Sequence, residues 1–180
     1  MRYAETVILK DGVELLVRNA VASDARALRD IMQRTHAETD YLLSYPDEQS
    51  ADDEQEARSL VETERSNNEV ELVATVDGRI VGSAGIAAVG GRRKVVHRRA
   101  LDQRPHRTLG MGIGRVLMEA SIDCARRAGY TQLELEVVAD NQARSPSIGA
   151  RGSRSMGATL EATGLVSSGY QELVHMRLEL

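Results

Sequence analysis

A glycine-rich loop, Gly110-Met111-Gly112-Ile113-Gly114-Arg115, stands immediately before an amphipathic helical stretch. Three glycines at alternate positions keep side chains away from the loop, so that several backbone N–H groups can point at one anion. The helix that follows adds partial positive charge at its N-terminus. The loop therefore predicts a phosphate-binding site and a phosphorylated ligand.

Two common phosphate-binding motifs fit this loop poorly. A dinucleotide fingerprint needs G-x-G-x-x-G, and here the third glycine comes one position early. A P-loop needs Gly-Lys-Ser/Thr, which does not follow these glycines. From the glycines alone, two interpretations stay open: a phosphate-binding site, or a tight loop that binds no ligand.

The composition describes an ordinary globular chain. Its 180 residues suit a single domain spanning 1–180, with 42% hydrophobic and 28% charged residues. A net charge of −4 argues against nucleic acid as a partner, and no apolar run is long enough to predict a membrane span. The single cysteine, Cys124, excludes an internal disulfide and a cysteine-rich metal site, and it fits a reducing cytoplasm.

Periodicity predicts the elements of the N-terminal part. Val13–Val17 is typical of a strand, and a helix follows from a cap at Ser23 or Asp24 to about Thr35. A second, acidic helix is expected over Ser50–Arg65, with Ser50 as its cap.

The clearest local signal is a hairpin. Residues Val70–Val76 alternate between apolar and polar positions, Asp77-Gly78 provides the turn, and a return strand runs from Ile80 to about Val89. Residues 91–109 are basic, contain a proline and predict no element.

The C-terminal half yields one helix and two strands. Apolar residues repeat at helical spacing from 113 to 128, and Gly129 ends that helix. A strand over Leu133–Val137 follows, residues 144–165 show no sustained period, and a last strand is expected over Leu173–Leu178.

Three segments in a fixed order carry a resemblance to a known family: ELLVRNAVASDARALRDI, ELVATVDGRIVGSAGI and GMGIGRVLMEASIDCARRAGYTQLELEVVADN. Together they resemble the GNAT N-acetyltransferases. The resemblance implies an α/β (α+β) fold with a mixed, mostly antiparallel sheet of about six to seven strands. About four helices flank that sheet, and it splays between strands 4 and 5.

The resemblance also implies a cosubstrate, acetyl-CoA, and the residues that bind it. The pyrophosphate would meet the loop amides, and the pantetheine arm would lie in the splayed gap as an added strand would. The implied coenzyme-binding residues are Leu109, Gly110, Met111, Gly112, Ile113, Gly114, Arg115 and Asn141.

The implied activity is transfer of an acetyl group to a primary amine of a small molecule or peptide, by direct attack. The loop after the first helix could receive a cationic amine through Glu38, Asp40, Tyr41 and Tyr45. Glu136 is the candidate base, and no residue stands out as the catalytic acid. A non-catalytic acyl-CoA sensor on the same fold is the alternative function. The resemblance also implies a homodimer, which is common among GNAT proteins.

Two stretches depart from the family's pattern. Residues 99–109 lack the expected strand, and residues 144–165 lack the aromatic that often protonates the departing thiolate; the whole chain has no Phe and no Trp. Codons can be written for Arg144–Gly149 that yield a Leu-Tyr pair when they are read one base out of frame.

We therefore predict that the gene encodes these two stretches in a shifted reading frame. Sequencing the gene across them, together with the intact mass of the product, checks this. An intact mass equal to that of the printed sequence would contradict the prediction.

Overall fold

The computed structural model describes residues 1–38, 52–88, 94–101, 111–139, 154–165 and 169–180; in 94–101, 154–165 and 169–171 the backbone alone is described. Eight strands form one sheet, and they are β1 (Ala4–Ile8), β2 (Glu14–Asn19), β3 (Val70–Val76), β4 (Arg79–Ala88), β5 (Lys94–Leu101), β6 (Gln132–Val138), β7 (Arg154–Leu165) and β8 (Gly169–Glu179). The described helices are a 3₁₀ turn (Ala22–Asp24), α1 (Ala25–Glu38), α2 (Asp53–Arg65) and α3 (Ile113–Arg127).

The strands lie in the order β1-β2-β3-β4-β5-β6-β8-β7. Within the described part of the chain, every neighbouring pair is antiparallel except β5 and β6, which run parallel. A parallel pair needs a crossover, and α3 provides it. None of the described helices is both long and apolar enough to cross a membrane.

The predicted hairpin is confirmed. β3 and β4 pair antiparallel around Asp77 and Gly78, whose φ angles are +50° and +74°. Two successive positive φ angles are those of a type I′ turn, whose twist matches that of the strands. Asp-Gly favours this turn because both residues tolerate the left-handed region.

The starts of the first two helices differ from the predictions. The chain enters α1 through the 3₁₀ turn, and the Asp24 carboxylate accepts hydrogen bonds from the Val21 amide and from Arg18. Burial alone would raise the pKa of Asp24, but these two donors outweigh it and hold the pKa below its ordinary value. Helix α2 is capped by Asp52, which accepts from the Gln55 amide, and not by Ser50.

The two faces of the sheet carry separate hydrophobic clusters. One packs α3 against the sheet through residues such as Leu72, Leu117 and Leu135. The other packs α1 and α2 against Val73 through Leu28, Ile31 and Leu60. We call these the α3 face and the α1 face of the sheet. Helices α1 and α2 are further joined by an ion pair between Arg29 and Asp53.

The fold class is confirmed. The described residues form eight strands and three α-helices, where about six to seven strands and about four helices were predicted. Strand β1 was not predicted; it lies at the sheet edge and its residues are mostly exposed, so it lacks a clear apolar alternation. Strands β5 and β7 run through stretches for which no element was predicted, and Glu38, predicted in a loop, ends α1.

Candidate active site

The sheet opens between β5 and β6. These strands pair at only three positions, Lys94–Gln132, Val95–Leu133 and Val96–Glu134. Beyond Val96, β5 continues along β4 as far as Leu101, while β6 continues along β8 as far as Val138. Over these described residues the two strands therefore present backbone edges that do not pair with each other. We call this opening the split.

The unpaired backbone edges of the split have the hydrogen-bonding groups that an extended ligand needs. Backbone N–H and C=O groups at a strand edge need partners, and a ligand that carries amide groups can supply them as an added strand would. The resemblance predicts a splay between strands 4 and 5. Those strands are β5 and β6 here, because β1 was not predicted and shifts the numbering by one.

The N-terminus of α3 begins at Gly112, which has φ +91° and ψ +10°. The Gly112 carbonyl accepts hydrogen bonds from the amides of Arg115 at 2.9 Å and Val116 at 3.0 Å. The first amides of a helix have no acceptor within it, and they point outward with the positive end of the helix dipole. This is the geometry that the glycine loop predicted for an anion.

The predicted coenzyme-binding residues are placed in part. Met111 and Gly112 directly precede α3, and Ile113, Gly114 and Arg115 form its first turn. Because the Arg115 amide donates to Gly112, the amides ahead of it are the better candidates for a ligand. Leu109, Gly110 and Asn141 lie outside the described residues, so their assignment stays a prediction.

Glu136 lies beside the split on the α1 face. Leu133, Leu135 and Val137 pack on the α3 face, so the alternating residues Glu134 and Glu136 point to the other side. Glu136 comes two residues after the last β5–β6 pair, at the point where the strands have just parted.

A histidine contacts this glutamate. His175 pairs with Glu136 across β6 and β8, and its Nδ1 lies 2.9 Å from Glu136 Oε1. Both side chains are about two-fifths exposed, at 41% and 43%. Sequence reasoning did not single out His175, because only the strand register brings it to Glu136.

A second glutamate lies on the same face, on the other side of the split. Glu71 in β3 pairs with Gly85 in β4, which in turn pairs with position 98 in β5. The Glu71 carboxylate overlaps the place where a β-carbon on Gly85 would stand, so a side chain at that position would push the carboxylate aside. Glu71 and Glu136 thus place two carboxylates on the α1 face at the level where the split opens.

Of the four residues predicted to bind the acceptor, one lies within the described part of the chain. Glu38 is the last residue of α1, on the face that carries Glu136. Asp40, Tyr41 and Tyr45 lie outside the described residues, and their role stays a prediction.

Cys124 is a core residue, as its place in the helical pattern suggests. It is fully buried on the α3 face, and burial raises the pKa of its thiol to about 11. A thiol with so high a pKa carries almost no thiolate at neutral pH, so it is a poor nucleophile.

The chain belongs to the Acetyltransferase (GNAT) family, whose profile matches residues 26–145. No curated protein matches the chain. Solved structures resemble its fold. A GNAT acetyltransferase from Streptococcus pneumoniae superimposes with a TM-score of 0.84 at 24% identity, over 92% of this chain and 99% of that one.

Two further structures extend the comparison. A GCN5-related N-acetyltransferase from Kribbella flavida has a TM-score of 0.75 at 27% identity, covering 92% of this chain and 98% of its own. The yncA protein of Salmonella typhimurium, solved with its cofactor acetyl-CoA, has a TM-score of 0.78 at 21% identity and covers 92% and 94%. Acetyl-CoA is the cosubstrate of this family.

The contact between Glu71 and Gly85 yields a prediction. Gly85→Ala should change the free energy of unfolding by about 1 kcal/mol or less, because the overlapping atom is the end of the flexible Glu71 side chain, which can turn away. Glu71→Ala removes the overlap, so Gly85→Ala should be more favourable in that background than in the parent, and the two changes should be non-additive.

Urea unfolding of the two single variants and the double variant measures this coupling. Gly78→Ala is the control, since its β-carbon would meet nothing within 4 Å and its cost is backbone strain alone. Additive costs for Gly85→Ala and Glu71→Ala would contradict the packing described here.

Proposed function

We propose that this protein is an N-acetyltransferase that moves the acetyl group of acetyl-CoA to a primary amine of a small molecule or a peptide. The observation that carries the proposal is the split between β5 and β6, with the N-terminus of α3 following β5 in the chain. Membership of the family supports acyl transfer, and the amine acceptor is the part that we add.

Acetyl-CoA matches these two features in its chemistry. Its pyrophosphate is an anion suited to the amides at Met111, Gly112 and Ile113. Its pantetheine arm carries two amide groups on an extended chain, which suits the open edges of β5 and β6. The thioester would then lie near the closed end of the split, at the level of Val96 and Glu134.

The reaction needs little covalent chemistry from the protein. The nitrogen of the neutral amine attacks the thioester carbonyl, the C–S bond breaks, and the thiolate of coenzyme A leaves and takes up a proton. Holding both reactants in line supplies much of the rate. Backbone N–H groups at the edge of β5 can stabilise the negative charge that develops on the carbonyl oxygen.

The attacking amine must first lose a proton, and we assign that step to Glu136. Its carboxylate stands on the α1 face just beyond the last β5–β6 pair, directly or through one water within reach of an amine at the thioester. The acceptor would approach from the α1 face, past Glu38 and the predicted Asp40, Tyr41 and Tyr45. The acidic groups on this face, Glu71 and Glu136 among them, suit a cationic acceptor.

A cytoplasmic location and a homodimer complete the proposal. A single buried thiol suits a reducing compartment. A dimer is expected from the resemblance to the family.

Turnover of acetyl-CoA against a panel of primary amines, followed by release of the free thiol, tests the function. We expect thiol release that depends on the amine and a product whose mass is increased by one acetyl group. Binding of acetyl-CoA without turnover on any amine would favour the acyl-CoA sensor. Absence of acetyl-CoA binding would remove both functions.

The N-terminus of α3 gives a more specific prediction. Gly112→Ala should weaken acetyl-CoA binding by roughly tenfold or more, because a side chain at φ +91° costs about 1–2 kcal/mol and shifts the amides that meet the pyrophosphate. Isothermal titration calorimetry with acetyl-CoA measures the affinity.

Gly129→Ala is the matched control, at the other end of the same helix. Gly129 has φ +79°, and a β-carbon at either glycine would meet nothing within 4 Å. Both variants should lose similar stability, while only Gly112→Ala should lose affinity. Equal loss of affinity in both would show that the effect is general destabilisation.

A further inference from the structure

We infer that His175 is a positioning residue for the proposed reaction: it holds the Glu136 carboxylate in the orientation from which that carboxylate accepts the proton of the amine. This inference rests on the proposed function and adds to it the residue that sets the base. The family profile matches residues 26–145 and does not reach His175.

The strand register fixes the two partners. Glu136 and His175 lie directly opposite each other in a ladder of seven consecutive β6–β8 pairs, from Gln132–Glu179 to Val138–Leu173. Residues directly opposite in an antiparallel pair hold their side chains on the same face, a few ångströms apart. The pairing is therefore imposed by the backbone and not by a chance meeting of two surface side chains.

The contacting atoms define how the pair works. Nδ1 of His175 lies 2.9 Å from Oε1 of Glu136, the distance of a hydrogen bond. Neutral histidine that donates from Nδ1 carries its proton there, and the carboxylate keeps the lone pairs of Oε2. One oxygen is thus tied to β8, while the other can accept a proton from an amine or a water at the split.

A tie of this kind matters because Glu136 is 43% exposed. A half-exposed glutamate samples several rotamers, and holding it in one of them costs conformational entropy unless a partner fixes it. In metal sites, partners that orient a ligating side chain affect affinity or activity by roughly 10- to 100-fold, which sets the scale for a positioning residue.

Other charged groups on this face stand farther along the strands. Glu134 and Arg177 pair with each other two residues from Glu136 and His175, and Arg177 also contacts Glu179 at 3.6 Å. On the outer side, the backbone at position 157 of β7 pairs with His175. Among the described residues, Glu136 is the carboxylate that contacts the ring.

The experiment compares His175→Ala, His175→Gln, Glu136→Gln and the double variant Glu136→Gln/His175→Ala. For each, kcat and the KM values for acetyl-CoA and for the best amine are measured from mildly acidic to alkaline pH. Arg177→Gln is the control, because it removes a neighbouring charge on the same strand and face. Calorimetry with acetyl-CoA verifies that every variant retains the folded binding site.

We expect Glu136→Gln to lower kcat by about 10²–10⁴-fold, the range for loss of a general base. His175→Ala should lower kcat by about 10-fold or more with the KM for acetyl-CoA unchanged. His175→Gln keeps a side-chain N–H donor, so it should retain more activity than His175→Ala.

The double variant is the decisive comparison. If His175 acts through Glu136, removing both should cost no more than removing Glu136 alone. Two results would overturn the inference while the proposed function stands. One is a double variant whose loss of kcat equals the product of the two single losses. The other is His175 variants that match Arg177→Gln in kcat. A parent protein that binds acetyl-CoA and acetylates no amine would instead overturn the proposed function, and this inference with it.

Discussion

One constraint governs the rest of this structure: β5 and β6 can each pair fully with an outer neighbour but only briefly with each other. β5 is committed to β4 over seven pairs and β6 to β8 over seven, while the two strands share three. Strands twist relative to one another, so two well-paired blocks of a sheet can part without breaking either ladder. The opening leaves main-chain groups of the described strands along both of its edges.

The same arrangement decides which side chains can take part in chemistry. In β6 the apolar residues Leu133, Leu135 and Val137 are committed to the α3 face, and this leaves Glu134 and Glu136 on the other face. Strand β6 thus packs one set of its side chains into the core on the α3 face. The alternate set places carboxylates on the α1 face beside the split. The absence of a side chain at Gly85 lets Glu71 lie along the same face three strands away. The carboxylates beside the split on this face follow from period-two alternation and not from a special loop.

How far the sequence predicts this molecule depends on whether the signal is local. The β3–β4 hairpin follows from Asp77-Gly78 and a clean alternation, and α3 follows from its apolar face and Gly129. Strand β5 carries a basic sequence whose pattern does not reveal a strand, and β1 is exposed at an edge; both form because a neighbouring strand supplies their hydrogen bonds. The split and the Glu136–His175 contact depend on which strands are neighbours and on the register in which they pair. No local pattern in a single sequence reveals strand order or register. The N-terminus of α3 was accessible from sequence because a helix N-terminus is a local feature, whereas the partner of the proposed base was not.

The placement of α3 explains why one ligand can connect both halves of the site. The helix packs its buried residues on the α3 face, yet its N-terminus belongs to the connection that leaves the end of β5, where the split is widest. Under the proposed function, a ligand anchored at those amides would extend along the unpaired backbone toward the closed end of the split. Glu136 stands near that end on the α1 face. A molecule with an anionic head, an amide-bearing arm and a reactive tip would then bind from the side of α3 and present its tip to the side of α1. The sheet would separate the groups that bind the ligand from the groups that act on its acceptor, with the split as the passage between them.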